Sequence, residues 1–404
     1  MHKTLYLSYD GMTDPLGQSQ VLPYLCNLDD DREIHLISCE KSTEYHKYSE
    51  DIQRVISSKN ITWHPLVYHK FPPILSTVWD MWKIQKLASS LITQQSFELV
   101  HCRSHLMGII GKNLKKKFGI PFLFDMRSFF PDERVDGNLW PQSKFIYRLV
   151  YKYFKNQEIK MFNLAAHIVV LTNAAKDILS KHIESSKITV IPCCADFHHF
   201  DYRSISAEEI EDAREDMQLT KNNFVLTYLG SIGTWYKLNE MLAFFKELKL
   251  LKPESIFLIL TSGSEDLIYK IAKEYSLTPS DLRIKFIPRK DLPRYLILSD
   301  VSIFFIQSTF SKLASSPTKH AELMGLGIPV IANSGIGDTD KIILETHSGS
   351  LIDLESIEPF NNLSTKIDKL LMLDKQSIRE AGQNIFDLEV GIAAYKSIYL
   401  KFSS

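Results

Sequence analysis

The chain has 404 residues, 45% apolar and 24% charged, with a formal net charge of −1. That composition is of a soluble globular protein, the length suits two domains of roughly 200 residues each, and the near-neutral balance gives no field for nucleic acid. No apolar run approaches the ~18–20 residues of a membrane span, residues 1–11 read as a strand and not a signal peptide, and five cysteines (Cys26, Cys39, Cys102, Cys193, Cys194) show neither CxxC nor metal spacing, as in a reduced cytoplasmic protein.

In chain order, short apolar runs alternate with helical patterns, the mark of parallel βαβ units. The predicted strands of the first half are Thr4–Ser8, Ile34–Ser38, Ile61–Pro65, Leu99–Cys102, Pro121–Asp125, His167–Leu171 and Ile188–Ile191. Helical stretches between them include Ser76–Gln94, Met107–Phe118 and Lys144–Asn163. A polar, charged segment, Asp196–Asn223, reads as the domain junction, with Glu208–Glu215 a solvated helix. A second series follows: Phe224–Leu229, Ile256–Thr261, Ile284–Ile287, Val301–Phe305, Val330–Ala332 and Ser350–Ile352. The tail Ser377–Phe402 is helical by pattern, and its last part, about 385–404, is placed back on the first domain. The pattern predicts two Rossmann-like, doubly wound α/β domains, residues 1–200 and 201–384, facing one another across a cleft with the ligand at the carboxyl ends of the strands.

The stretch Ser315–Asp338 carries the most chemistry. Lys319 and Glu322 stand at i,i+3 and share one helix face. Pro317 suits a first helical turn, with Ser315, Ser316 or Thr318 as its cap, and Gly325–Gly327 end the helix before a buried strand. A helix N-terminus with hydroxyls and a lysine is an anion site, and a nearby carboxylate can grip sugar or ribose hydroxyls. The combination suits a nucleotide-sugar diphosphate.

Five blocks now stand in one order: DGMTDPLGQSQ (Asp10–Gln20), FDMRSFFPDERVDG (Phe124–Gly137), LTNAAKDIL (Leu171–Leu179) with VIPCCADFHHF (Val190–Phe200), YLGSIGTWY (Tyr228–Tyr236) and the stretch above. In order and spacing the chain resembles the family 4-type retaining glycosyltransferases of GT-B fold, over nearly its full length. The resemblance implies an enzyme without metal or other cofactor. Such an enzyme moves a sugar from a nucleoside diphosphate sugar to an acceptor hydroxyl, in surface polysaccharide or glycolipid synthesis. The donor would lie on the C-terminal domain and a saccharide or lipid-linked acceptor on the N-terminal one.

Carried over residue by residue, the resemblance assigns Gly17 to close backbone approach to the donor, with Gln18, Ser19 and Gln20 opening a helix, and Glu322 to the ribose. It also reveals departures. Ala314 stands eight positions before Glu322, where a first glutamate is expected, and Ser231 and Tyr236 replace an arginine and a lysine of the diphosphate site. Lys319 is then expected to supply the charge, with Ser231 and Tyr236 giving neutral hydrogen bonds, Ser316 and Thr318 lining the loop, and Lys237 a weaker candidate. Arg127 takes the place of a catalytic-site histidine and, being permanently charged, would clamp an anion instead of acting as a base. Glu133 would orient the acceptor hydroxyl or pair with Arg127. Arg103 and His105, after the strand Leu99–Cys102, would line the acceptor side, and Phe129, Phe130, Trp140 and Trp235 would stack on sugars.

Pro192 and Asp196 mark the interdomain turn. The adjacent His198 and His199 lack a third ligand, so no metal site is expected. The basic run Lys112–Lys117 is either a solvated helix face or a contact with anionic lipid at the inner face of the membrane. Two rivals share the architecture. A non-hydrolysing UDP-sugar epimerase needs cleft acids and bases, and the first and third blocks fit it poorly. A non-catalytic sugar-nucleotide-binding protein would account for the lost cations.

Overall fold

The computed structural model describes residues 2–28 and 32–402, in two compact units. One runs up to Pro192 and takes in the chain from Leu388 onward; the other is Cys193–Asp387. The first boundary precedes the expected 200/201 because Phe197 and Phe200 are buried in the core of the second unit. Arg379 fixes them there, donating to the carbonyls of Phe197 and Phe200 at 2.7 Å each. The expected 384/385 boundary moves to Asp387/Leu388 because Ala195 N–H bonds the Phe386 carbonyl at 2.9 Å, holding that strand of chain in the second unit.

The first unit holds seven parallel strands: β1 (His2–Leu7), β2 (Arg32–Glu40), β3 (Ile61–Val67), β4 (Leu99–Arg103), β5 (Phe122–Asp125), β6 (His167–Val170) and β7 (Ile188–Val190). Their order is β3-β2-β1-β4-β5-β6-β7, with register partners such as Leu5–His35 and Leu5–Val100. β4 and β5 are buried at every position, as expected of a sheet covered on both faces by its crossover helices. The helices that matter below are α1 (Pro15–Gln20), α2 (Leu75–Gln94), α3 (Ser104–Phe118), α4 (Phe130–Asp136) and α5 (Phe145–Leu164). α3 packs against both α2 and α5. Strand order reverses between β1 and β4, which puts the loops after them where an open α/β sheet binds ligands.

The second unit repeats the plan with β8 (Val225–Leu229), β9 (Ile256–Leu260), β10 (Leu282–Lys285), β11 (Val301–Phe304), β12 (Val330–Asn333) and β13 (Gly349–Ile352), in the order β10-β9-β8-β11-β12-β13. β10 starts earlier than the expected Ile284, since Thr278 and Asp281 form a tight turn (Thr278 N–H to Asp281 Oδ2, 2.7 Å) that delivers Leu282 opposite Phe257. The helix of the principal motif is α6 (Thr318–Gly325). The expected helical tail is two helices, α7 (Lys375–Phe386) and Leu388–Leu400, broken where Asp387 turns extended at φ −62°, ψ 138°. The last helix belongs to the first unit. Its Tyr395 packs edge-on to Tyr24, and its Tyr399 hydroxyl bonds His101 Nδ1 at 2.6 Å.

Candidate active site

In the second unit the chain leaves β8 and β11, adjacent in the sheet, toward opposite edges. The loops at their carboxyl ends are tied together. Lys237 N–H bonds the Phe305 carbonyl at 3.0 Å and Gln307 N–H the Trp235 carbonyl at 2.8 Å. Asn333, ending β12, clamps the backbone of Ile306 with bonds of 2.7 and 2.8 Å. This lattice presents Trp235 and Tyr236 side by side.

Each ring carries a buried cation. The Lys312 ammonium lies 3.7 Å from the centroid of Trp235. The Lys319 ammonium lies 4.0 Å from that of Tyr236 and 4.5 Å from that of Tyr228, and donates to the Tyr228 hydroxyl at 3.5 Å. The hydroxyl in turn donates to the Ser231 carbonyl at 2.6 Å. A Cβ on Gly230 would lie 2.5 Å from Lys319 Nζ, so glycine there, at φ +138°, leaves room for the ammonium. Ring faces offer a cation about 0.5–2 kcal/mol, too little to offset loss of water. Burial therefore pulls the Lys319 pKa down to about 7, against an opposing pull from the Glu322 charge.

Glu322 is buried on the same helix, but its direct partner is Arg289, whose Nη1 meets Oε1 at 2.5 Å. The guanidinium also lies over the Phe200 ring at 5.2 Å, and His199 Nε2 donates to the Arg289 carbonyl at 3.0 Å. The expected cap of α6 is absent: Pro317 occupies the N-cap position and no side chain closes the turn. Ser316 instead accepts from Cys193 N–H at 3.1 Å, while Thr318 opens the helix half-buried. His320 is fully buried between Phe304 and Phe386, and burial lowers its pKa to about 4, so its ring is neutral. Ser231 is exposed, and Lys237 pairs with Glu240 at 3.4 Å.

In the first unit, the carboxyl ends of β1, β4 and β5 gather Asp10, Arg103, Asp125 and Arg127. Asp125 is buried, 3.3 Å from Arg127 Nη1, 3.7 Å from Arg103 Nη1 and 3.5 Å from His101 Nε2. Burial alone would raise its pKa, but Arg127, His101 and Arg103 hold it well below the usual carboxylate range. Arg103 also reaches the half-exposed Asp10 at 3.4 Å, and Arg127 reaches Gln20 at 3.5 Å. The neighbouring Gly11–Thr13 loop is fastened by buried Glu40, which accepts from Met12 N–H, Thr13 N–H and the Thr13 hydroxyl at 2.8, 3.1 and 2.6 Å.

Several expected residues have internal duties here. A Cβ on Gly17 would sit 2.1 Å from the Gly11 carbonyl, so this glycine lets α1 pack on the loop before it. Gln18–Gln20 end α1 and do not open it, because the helix starts at Pro15. His105 is buried, bonding Glu158 at 2.8 Å and stacking on Phe130, which ties α3 to α4 and α5. Phe130, Trp140 and Phe154, each partly exposed, pack on one another, and Phe129 is buried. Glu133 is half-buried in the first turn of α4. Of the basic run, Lys112 is buried against Gln157 and Lys115 bonds the Leu164 carbonyl at 2.7 Å, leaving Lys116 and Lys117 exposed. Lys312, Tyr228 and the Arg289 side chain were missed by the sequence reading; their place in loops at strand carboxyl ends was the available signal for the two cations.

The chain matches a model of Glycosyltransferase Family 4 over residues 28–199 and one of Glycosyl transferases group 1 over 209–384. It is 26% identical over 337 residues, 81% of each chain, to the UDP-Gal:alpha-D-GlcNAc-diphosphoundecaprenol alpha-1,3-galactosyltransferase of Escherichia coli. Among solved structures it resembles sucrose-phosphate synthase of Thermosynechococcus elongatus, with TM-score 0.75, 14% identity and 99% of both chains covered. It also resembles HepE of Anabaena, solved with UDP-glucose, with TM-score 0.69, 13% identity, and 99% and 100% covered. With both models matched in order and the fold shared end to end, the chain belongs to the family 4-type glycosyltransferases of GT-B fold.

Proposed function

We propose that this glycosyltransferase takes its sugar from a nucleoside diphosphate sugar, of uridine type, and delivers it with retained anomeric configuration to an acceptor hydroxyl in glycolipid or surface-polysaccharide synthesis. The observation that carries the reading is the pair of buried cations, Lys312 and Lys319, held on Trp235 and Tyr236 at the strand-order reversal of the second unit. A leaving diphosphate gains negative charge as the glycosidic bond breaks, and fixed cations in a dry site stabilise it strongly. The names of the E. coli and Anabaena proteins support a uridine donor, and that of the E. coli relative supports a lipid-linked acceptor.

In this reading Lys319 contacts the diphosphate, aided by amides at the start of α6 and by Ser316, Thr318, Ser231 and Tyr236. Glu322, steadied by Arg289, holds the ribose. In the first unit Arg127 and Arg103 grip an anionic group of the acceptor and Glu133 orients its hydroxyl. The chain's own cations neutralise the leaving group, so the reaction proceeds without a metal, at the cytoplasmic side of a membrane. Among the described residues no helix is long and apolar enough to cross one.

The test is purified protein with a panel of nucleotide sugars, following released nucleoside diphosphate with and without EDTA. Donor-dependent release, insensitive to EDTA, is expected. Binding without turnover would instead indicate a sugar-nucleotide-binding protein.

A further inference from the structure

The first unit exposes an apolar face that its own core does not use. On α2, Leu75, Val78, Trp79 and Trp82 follow i, i+3, i+4, i+7 spacing and all point outward, with Trp79 50% and Trp82 51% exposed. Phe71 and Ile74, just before the helix, are exposed too. The two indoles stack at 5.1 Å; Lys83 lies over Trp79 at 5.4 Å and Lys86 over Trp82 at 5.3 Å. On α5, Phe145 (66% exposed), Ile146, Leu149 and Tyr153 form a second strip, beside exposed Arg148 and Lys152. Between them lies α3, showing solvent Lys116 and Lys117.

The charge on this layer has one sign. α2 contains a single carboxylate, Asp80, α5 a single one, Glu158, and α3 none. Both are buried and engaged, Asp80 by His69 at 2.5 Å and Tyr9 at 3.1 Å, Glu158 by His105 and Lys155 at 2.8 and 2.6 Å. The outward surface of the three helices therefore offers aromatic and aliphatic side chains among lysines and arginines, with no carboxylate facing out.

We infer that the outer face of α2, α3 and α5 docks on an anionic lipid bilayer, with Trp79, Trp82 and Phe145 inserted at headgroup depth and the lysines and Arg148 on lipid phosphates. Amphipathic indoles favour that depth, and apolar burial together with basic charge is the usual combination for such binding. A protein partner fits less well, since lysine is depleted at the centre of protein interfaces. The branched aliphatics Val78, Ile146 and Leu149 match hydrocarbon and not stacked bases. The inference stands apart from the donor chemistry.

The experiment is co-sedimentation of the full chain with vesicles of phosphatidylcholine alone or with roughly one-third phosphatidylglycerol. Wild type should pellet with the anionic vesicles and be released by salt. Trp79→Ser with Trp82→Ser, Phe145→Ser with Leu149→Ser, and Lys83→Gln with Lys86→Gln should each lower the bound fraction about tenfold or more, with unchanged circular dichroism and donor turnover. Failure of wild type to pellet would overturn the inference, as would variants binding like wild type. So would a wild-type dimer in solution that the tryptophan variant dissociates, which would make this face a contact between copies of the chain.

Discussion

The ammonium of Lys319 lies 4.0 Å from the ring centroid of Tyr236, the residue at the position where the family resemblance calls for a cation. A cation is present there all the same, carried by α6 and leaning on the aromatic ring that stands at that position. Tyr228 closes the other side, so the cation is held by ring faces and one hydroxyl and sits 7% exposed.

Lys319→Met should therefore cut kcat/KM by about 10²–10³, the usual loss when one stabiliser of a developing anion is removed. Melting temperature should stay level or rise, because a desolvated charge leaves the interior. Steady-state kinetics and a thermal melt on one preparation check this. A rate within twofold or so of wild type would remove Lys319 from the chemistry.

The lowered pKa of Lys319 gives a pH signature. Its folded value, about 7, lies below that of an unfolded lysine near 10.4. Between these values the unfolded chain binds one more proton, so wild type should gain stability relative to Lys319→Met as pH rises through that window. Donor diphosphate favours the charged form, so donor binding above pH ~7 takes up a proton and weakens by up to tenfold per pH unit. Calorimetry at pH 8 in two buffers of different ionisation enthalpy would measure the uptake.

Arg289 and Glu322 should not be equivalent. Arg289→Ala strands a buried carboxylate and should cost about 1–3 kcal/mol of stability. Glu322→Gln keeps a neutral partner for Arg289 and should cost less stability while raising the donor KM. Denaturant melts and a donor titration separate the two; equal stability losses would mean the pair acts only as a structural bridge.

Gly17→Ala places a Cβ 2.1 Å from the Gly11 carbonyl. Displacing α1 from its loop should destabilise the fold by about 1–3 kcal/mol. A reduced melting temperature with no ligand present is the expected result. A melt equal to wild type with weakened donor binding would return Gly17 to the role of ligand approach.

Asp125→Asn should destabilise the first unit by about 3 kcal/mol, leaving buried Arg103 and partly buried Arg127 without their shared carboxylate. Because the folded pKa of Asp125 is depressed, its contribution is present above the unfolded value near 3.9 and is lost as pH falls below it. Wild type and Asp125→Asn should thus converge in stability in strong acid, which a series of melts at falling pH would follow.

Strands such as β4 and β11 could be found in the sequence because a parallel sheet covered on both faces demands unbroken apolar runs, and local pattern encodes that demand. The motif order likewise identified the family, and the single helix face shared by Lys319 and Glu322 follows from spacing alone. Local pattern is silent on partners distant in the chain. Only the folded arrangement of β8 beside β11 put Lys312 on Trp235 and Lys319 on Tyr236. Only packing turned His105 inward to Glu158 and assigned Arg289, not Lys319, to Glu322. The sequence thus determined the elements and the chemistry available, through periodicity and residue type. The tertiary structure decided which charges are dry, paired or outward, because burial and Coulomb interactions depend on distances that strand order alone creates.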